Sequence, residues 1–137
     1  MSGAPAPVVI LISGRGSNLQ AILDETRAGR LPIEIRAVIS NNPEAGGLQR
    51  ARAAGVPTEI VSHRDYTDRT QFDAVLMQAI DRHAPRLVIL AGFMRIIGAA
   101  FIRHYTGRLL NIHPSLLPAF KGLNTHARAL AAGAAQH

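Results

Sequence analysis

Val8-Val9-Ile10-Leu11-Ile12-Ser13-Gly14-Arg15-Gly16-Ser17-Asn18-Leu19 is the stretch on which the fold turns. Its first five residues are all apolar and mostly β-branched, the signature of a strand buried on both faces. The run passes directly into a polar turn with two glycines. Beyond the turn, Leu19, Ile22 and Leu23 recur at helical spacing until Gly29 supplies a stop. Strand, tight turn and helix in that order make one βα unit, with the turn at the carboxyl end of the strand.

The same alternation continues along the chain. Strands are predicted over Val8 to Ser13, Ile33 to Ser40, Thr58 to Val61, Leu87 to Ala91 and Leu109 to His113. Between them, Leu48 to Ala54 reads as a helix closed by Gly55. From Thr70 to His83, the residues Phe72, Val75, Leu76, Ala79 and Ile80 line one helical face that Pro85 ends. Strands separated by helices, with right-handed crossovers, predict an α/β fold: an open, doubly wound, mainly parallel sheet. Such sheets bind ligands outside the carboxyl ends of their strands. Residues 1–7 read as a loose leader and residues 8–137 as a single domain.

Composition narrows the function classes. Of the 137 residues 47% are hydrophobic, enough for one core and too many for a disordered chain. There is no cysteine, which excludes disulfides, thiolate zinc sites and cysteine nucleophiles and makes the cytoplasm the expected location. The apolar runs fall well short of the roughly 18 residues of a membrane span, and Met1 to Pro7 carries no basic residue, so neither a membrane segment nor a signal peptide is expected. The net charge of +6 is unevenly spread. Residues 1–81 carry eight Arg against all nine acidic residues, whereas residues 82–137 carry Arg82, Arg86, Arg95, Arg103, Arg108, Arg128 and Lys121 with no acid at all. A one-signed region favours an anionic ligand, although some of these Arg belong to solvated helix faces. No Lys/Arg run marks a nucleic-acid surface, and none is expected.

Two segments carry candidate chemistry. In Ser13 to Asn18, glycine lets the backbone turn sharply, Ser17 or Asn18 is expected to cap the helix, and exposed amides at the helix start make an anion site suited to a phosphomonoester. The bland alternative is a capped tight turn with no ligand. In Asn111-Ile112-His113-Pro114-Ser115-Leu116-Leu117-Pro118, Pro114 pushes His113 out of the helical region, so Asn111 and His113 stand two apart on an extended segment and project to one face. An amide that donates to a developing oxyanion beside an imidazole that exchanges protons near neutrality suits acyl or formyl transfer. Here the bland alternative is a buried pair satisfied by backbone. No metal is expected, because His104, His113 and His126 lack ligand spacing.

Three separated segments in order, Ile12 to Gln20, Leu90-Ala91-Gly92-Phe93-Met94-Arg95-Ile96 and Leu110 to Pro118, resemble the phosphoribosylglycinamide formyltransferase family, with a likeness running from about Val8 to the last residue. The resemblance implies a Rossmann-like formyltransferase fold whose last strands are absent. It also implies formyl transfer from 10-formyltetrahydrofolate, as cosubstrate, to the amine of glycinamide ribonucleotide in purine synthesis, by a monomer or homodimer. On that likeness Gly16, Ser17 and Asn18 hold the substrate phosphate. Arg69, Met94, Arg95, Ile96, Ile97 and Asn111 contact the folate, and Asn111 and His113 are catalytic. His113 is the proton donor and steadies the tetrahedral oxyanion. Arg95 has a structural alternative, covering the core with its stem.

The pattern departs in two places. Asn124 stands where many relatives have His, and is read as a helix cap. The family's third catalytic residue, an Asp beside a Gly-rich turn after the next strand, has no counterpart before His137. The chain is therefore expected to be part of a longer protein, inactive by itself and prone to associate along an unpaired fifth strand. Rival readings are a noncatalytic nucleotide- or folate-binding module, the formyltetrahydrofolate deformylase, and the methionyl-tRNA formyltransferase.

Overall fold

The computed structural model describes residues 5–94 and 97–112. Five parallel strands, β1 (Ala6–Ile12), β2 (Ile33–Ser40), β3 (Thr58–Ile60), β4 (Leu87–Ala91) and β5 (Leu109–Ile112), form one sheet in the order β3-β2-β1-β4-β5. The chain winds outward from β1 in one direction through β2 and β3, then returns to β1's other side for β4 and β5. β1 and β4 are thus the strands between which the winding reverses, and the crevice at their carboxyl ends is where such sheets bind ligands.

Two cores sandwich the sheet. Helices α1 (Ser17–Arg27) and α2 (Gly47–Ala53) bury Leu19, Ile22, Leu23, Leu48 and Ala51 against Val8, Ile10 and Ile12. Helices α3 (Arg69–Asp81) and α4 (Ala99–His104) bury Phe72, Leu76, Ile80 and Phe101, with Tyr105 just beyond α4, against Val9 and Leu11. Every residue of β1 from Val8 to Ile12 is fully buried, which explains the unbroken apolar run. Each such side chain contributes about 1.5–3 kcal/mol by leaving water.

The expected strands are present, with small corrections at their ends. β1 starts at Ala6, so the last two residues of the expected loose leader are strand. Ala6 N donates to Pro32 O and Pro7 O accepts from Arg86 N, while the pairing of β1 with β4 begins only at Val8, so the N–H that Pro7 lacks has no ladder position to fill. α1 begins at Ser17, with Gly16 at its N-cap in a left-handed conformation (φ 81°) and no side-chain cap, contrary to the cap expected from Ser17 or Asn18. Those two residues already lie inside the first turn. α3 is capped instead by Asp68, whose carboxylate accepts from Thr70 N at 2.9 Å. α4 is too short to have shown a periodic pattern. Among the described residues β5 is the sheet edge beside β4, and no helix is long and apolar enough to cross a membrane.

Candidate active site

The loop after β1 is built by close backbone packing. Gly14 O accepts from Gly47 N at 3.0 Å, drawing the start of α2 against the loop. Gly16 lies so near that a β-carbon on it would stand 2.5 Å from Gly47 Cα. Arg50, on α2, donates from Nε to Arg15 O at 2.7 Å and from its Nη1 to Gln20 Oε1 at 3.3 Å, bringing a guanidinium beside the loop. Gln20 N donates to Gly16 O at 2.8 Å. The amides before Gln20 belong to the first turn, where no intrahelical acceptor is available, and the helix dipole adds positive character there. Gly16 stands at the N-cap and Ser17 and Asn18 in this first turn, with Ser17 exposed and Asn18 buried.

The segment after β4 meets this loop across the β1/β4 crevice. A β-carbon on Gly92 would lie 3.9 Å from the Asn18 amide nitrogen. Met94 N donates to Ser13 Oγ at 2.7 Å, and Ser13 Oγ donates to Asn41 Oδ1 at 2.6 Å. The single hydroxyl proton must point to Asn41, because the lone pair facing Met94 is taken by an N–H. Ser13 is 8% and Asn41 4% exposed, so this chain lies in the interior, where hydrogen bonds polarise one another. Asn41 is itself held from below: its carbonyl accepts from His63 N at 3.2 Å, and His63 Nδ1 lies 2.9 Å from the same oxygen.

Farther along, Met94 is 82% exposed, whereas Phe93 and Ile97 pack partly into the core under α3 and α4. Gly98 N donates to Asp73 Oδ2 at 2.8 Å. Asp73 is 5% exposed, and among the described residues its other carboxylate oxygen has no hydrogen-bond partner. Arg69 is exposed one turn before Asp73 on α3, so the two share a helix face. Asn111 is half-buried, paired in register with Leu90 of β4; strand alternation sets it on the same face as Leu109, the face covered by α3 and α4.

Of the sequence-predicted residues that are described, Gly16, Ser17 and Asn18 follow β1, Met94 and Ile97 follow β4, Asn111 lies in β5 and Arg69 starts α3; the contacts seen between these groups are those of Gly92 with Asn18 and of Met94 with Ser13. Arg95, Ile96 and His113, together with Asn124, lie outside the described residues. Sequence reading passed over Ser13, Asn41, Arg50 and Asp73. Only Ser13 carried a signal, since it ends the apolar run as its one polar residue. Among the described residues no three His, Asp or Glu side chains converge to hold a metal ion.

Chemically, a ring of amides for an anion on one side of the crevice and a carboxamide at the next strand end but one suit a phosphorylated substrate reacting at a carbonyl-level carbon. Residues 6–137 match the family model described as formyl transferase. The chain is 51% identical over 130 residues to phosphoribosylglycinamide formyltransferase of Escherichia coli K12, covering 95% of this chain and 61% of that protein. It is 46% identical over 128 residues to the human trifunctional purine biosynthetic protein adenosine-3, covering 93% of this chain and 13% of the larger one. The solved phosphoribosylglycinamide formyltransferase of Coxiella burnetii superposes with a TM-score of 0.78 at 57% identity, over 94% of this chain and 61% of its own. The chain therefore spans about three fifths of the length of its bacterial relatives. From its strand-end glycine turn to its β4 segment, this chain belongs to the formyl transferase family.

Proposed function

We propose that the protein transfers the formyl group of 10-formyltetrahydrofolate to the amine of glycinamide ribonucleotide. The observation that carries this reading is the meeting, at one crevice, of the amide loop at Gly16–Asn18 with the segment after β4, through Asn18 beside Gly92. The loop amides of Gly16, Ser17 and Asn18 hold the ribonucleotide phosphate. Arg69, the Met94–Ile97 segment and Asn111 receive the reduced folate.

In the reaction the substrate amine attacks the formyl carbon, forming a C–N bond and a tetrahedral oxyanion. Asn111 donates its amide N–H to that oxygen and His113 steadies it. Collapse breaks the bond to the folate N10, which takes a proton delivered by His113 as the attacking nitrogen loses one. The product is a formamide and tetrahydrofolate. The protein is read as a cytoplasmic monomer or homodimer acting on small molecules, and the purine-biosynthetic name of its human relative supports the small-molecule part of that reading.

The test is formyl transfer by the full-length protein, followed as tetrahydrofolate release. Asn111→Ala is expected to lower kcat by about 100- to 1000-fold, as loss of an oxyanion donor does. His113→Ala is expected to abolish most turnover while leaving ribose 5-phosphate binding unchanged. Wild-type protein that releases formate to water without forming the formamide would establish a deformylase instead. Wild-type protein that binds both ligands without turnover would establish a binding module.

A further inference from the structure

Resting on the reading above, we propose that Ser13 is a positioning residue that couples the two substrate subsites, transmitting occupancy of the phosphate loop to the folate segment through its hydroxyl. Ser13 is the last residue before the amide loop, so any adjustment of Gly14–Asn18 around a phosphate acts directly on its backbone. Its Oγ accepts from Met94 N at 2.7 Å. Among the described residues this is the one side-chain hydrogen bond that joins the loop after β1 to the segment after β4.

The two ends of that segment are held differently. At Gly98, the amide donates at 2.8 Å to Asp73, a buried carboxylate on core helix α3, an element separate from the loop after β1. At Met94, the side chain is exposed, and beside Phe93, which packs partly into the core, the backbone amide is held by the Ser13 hydroxyl. The hydroxyl cannot turn away freely. Its proton is committed to Asn41 Oδ1 at 2.6 Å, and Asn41 is buried and pinned through its carbonyl by His63. One end is thus fixed to the scaffold and the other to a ligand loop, so phosphate binding displaces Met94 relative to Gly98. The geometry makes the two binding events interdependent, and by linkage the effect is reciprocal.

The experiment is calorimetric titration of full-length protein with 5-formyltetrahydrofolate, with and without saturating glycinamide ribonucleotide. Wild-type protein is expected to bind the folate at least about fivefold more tightly with the nucleotide present. In Ser13→Ala that ratio falls to about one, and Ser13→Thr, which keeps a hydroxyl, restores it. Independent of any variant, nucleotide addition to wild-type protein is expected to shift the Met94 amide resonance more than that of Gly98. A wild-type ratio of one, an undiminished ratio in Ser13→Ala, or equal amide shifts would overturn the coupling while leaving the formyltransferase reading intact. Failure of wild-type protein to bind either ligand would overturn both.

Discussion

Gly16 and Gly47 pack Cα against Cα, leaving no room for a side chain on either: a β-carbon on Gly16 would stand 2.5 Å from Gly47 Cα, and one on Gly47 would stand 3.1 Å from Gly16 Cα. Gly16 also has a φ of 81°, in the region L side chains avoid. Gly16→Ala is expected to destabilise by about 1–3 kcal/mol from backbone strain alone, and to weaken ribose 5-phosphate binding because the loop amides move. Gly47→Ala is expected to cost less, since its backbone is ordinary and its hardest contact is the far end of Ile12 at 2.6 Å. Gly14→Ala meets nothing within 4 Å and should be nearly neutral. Urea denaturation of the three variants checks the order.

Arg50 lends the loop both a hydrogen bond, to Arg15 O, and a charge. Arg50→Ala is expected to weaken ribose 5-phosphate binding by about 0.5–1.5 kcal/mol, the worth of one such bond. Arg50→Lys should not restore it, because an ammonium cannot reproduce a guanidinium that donates to Arg15 and Gln20 at once. Titration of the two variants at one ionic strength distinguishes geometry from charge.

Asp73 holds the far end of the β4 segment. Asp73→Ala is expected to lose about 1–3 kcal/mol of stability by stranding the Gly98 amide. The local readout is amide exchange, which should accelerate at Gly98 in the variant and remain unchanged at Val9 in the core.

Tyr105 is fully buried beneath α4, with its hydroxyl donating to Asp81 Oδ1 at 2.8 Å. Burial first, then the bond to Asp81 and its negative charge, push the phenol far above its ordinary value of 10.0, with Arg108 over the ring opposing this weakly. The folded state keeps the proton where the unfolded chain releases it. Stability is therefore fully present below pH 10 and falls as pH rises above it, by up to about 1.4 kcal/mol per pH unit for this one group. Tyr105→Phe should lower stability at pH 8 by roughly 0.5–1.5 kcal/mol, yet show a shallower decline between pH 10 and 11.5. Urea denaturation across that range tests the difference in slope.

The parts of the fold legible in the sequence were those fixed by local pattern. β2 and β4 fall on their expected residues: β4 reads as a plain apolar run, and β2 alternates apolar with charged residues over Ile33–Arg36 before its buried Ala37–Ser40 stretch. The start of β1 was hidden by Pro7, whose effect depends on where its neighbour begins. The cap of α1 was misread because the helix opens one residue into the turn, at Ser17, and Gly16 takes the cap position by conformation instead of by side chain. At the site, Gly16, Ser17, Asn18 and Asn111 could be singled out since their spacing and strand-end position are local properties. Ser13, Asn41, Asp73 and Gly47 act through partners far along the chain, as in the bonds of Ser13 to Asn41 and Met94, and no local pattern announces such pairs.

The place of β1 at the middle of the sheet sets the order of events on the ribosome. Its first neighbour, beginning at Ile33, emerges soon after it, but its second, Leu87–Ala91, is translated only after two further strands and three helices. Until then the nascent chain carries a wholly apolar strand with one flank unpaired, the kind of surface that chaperones bind and aggregates recruit. Synthesis of β4 is thus the moment at which both flanks of β1 can first be sheltered.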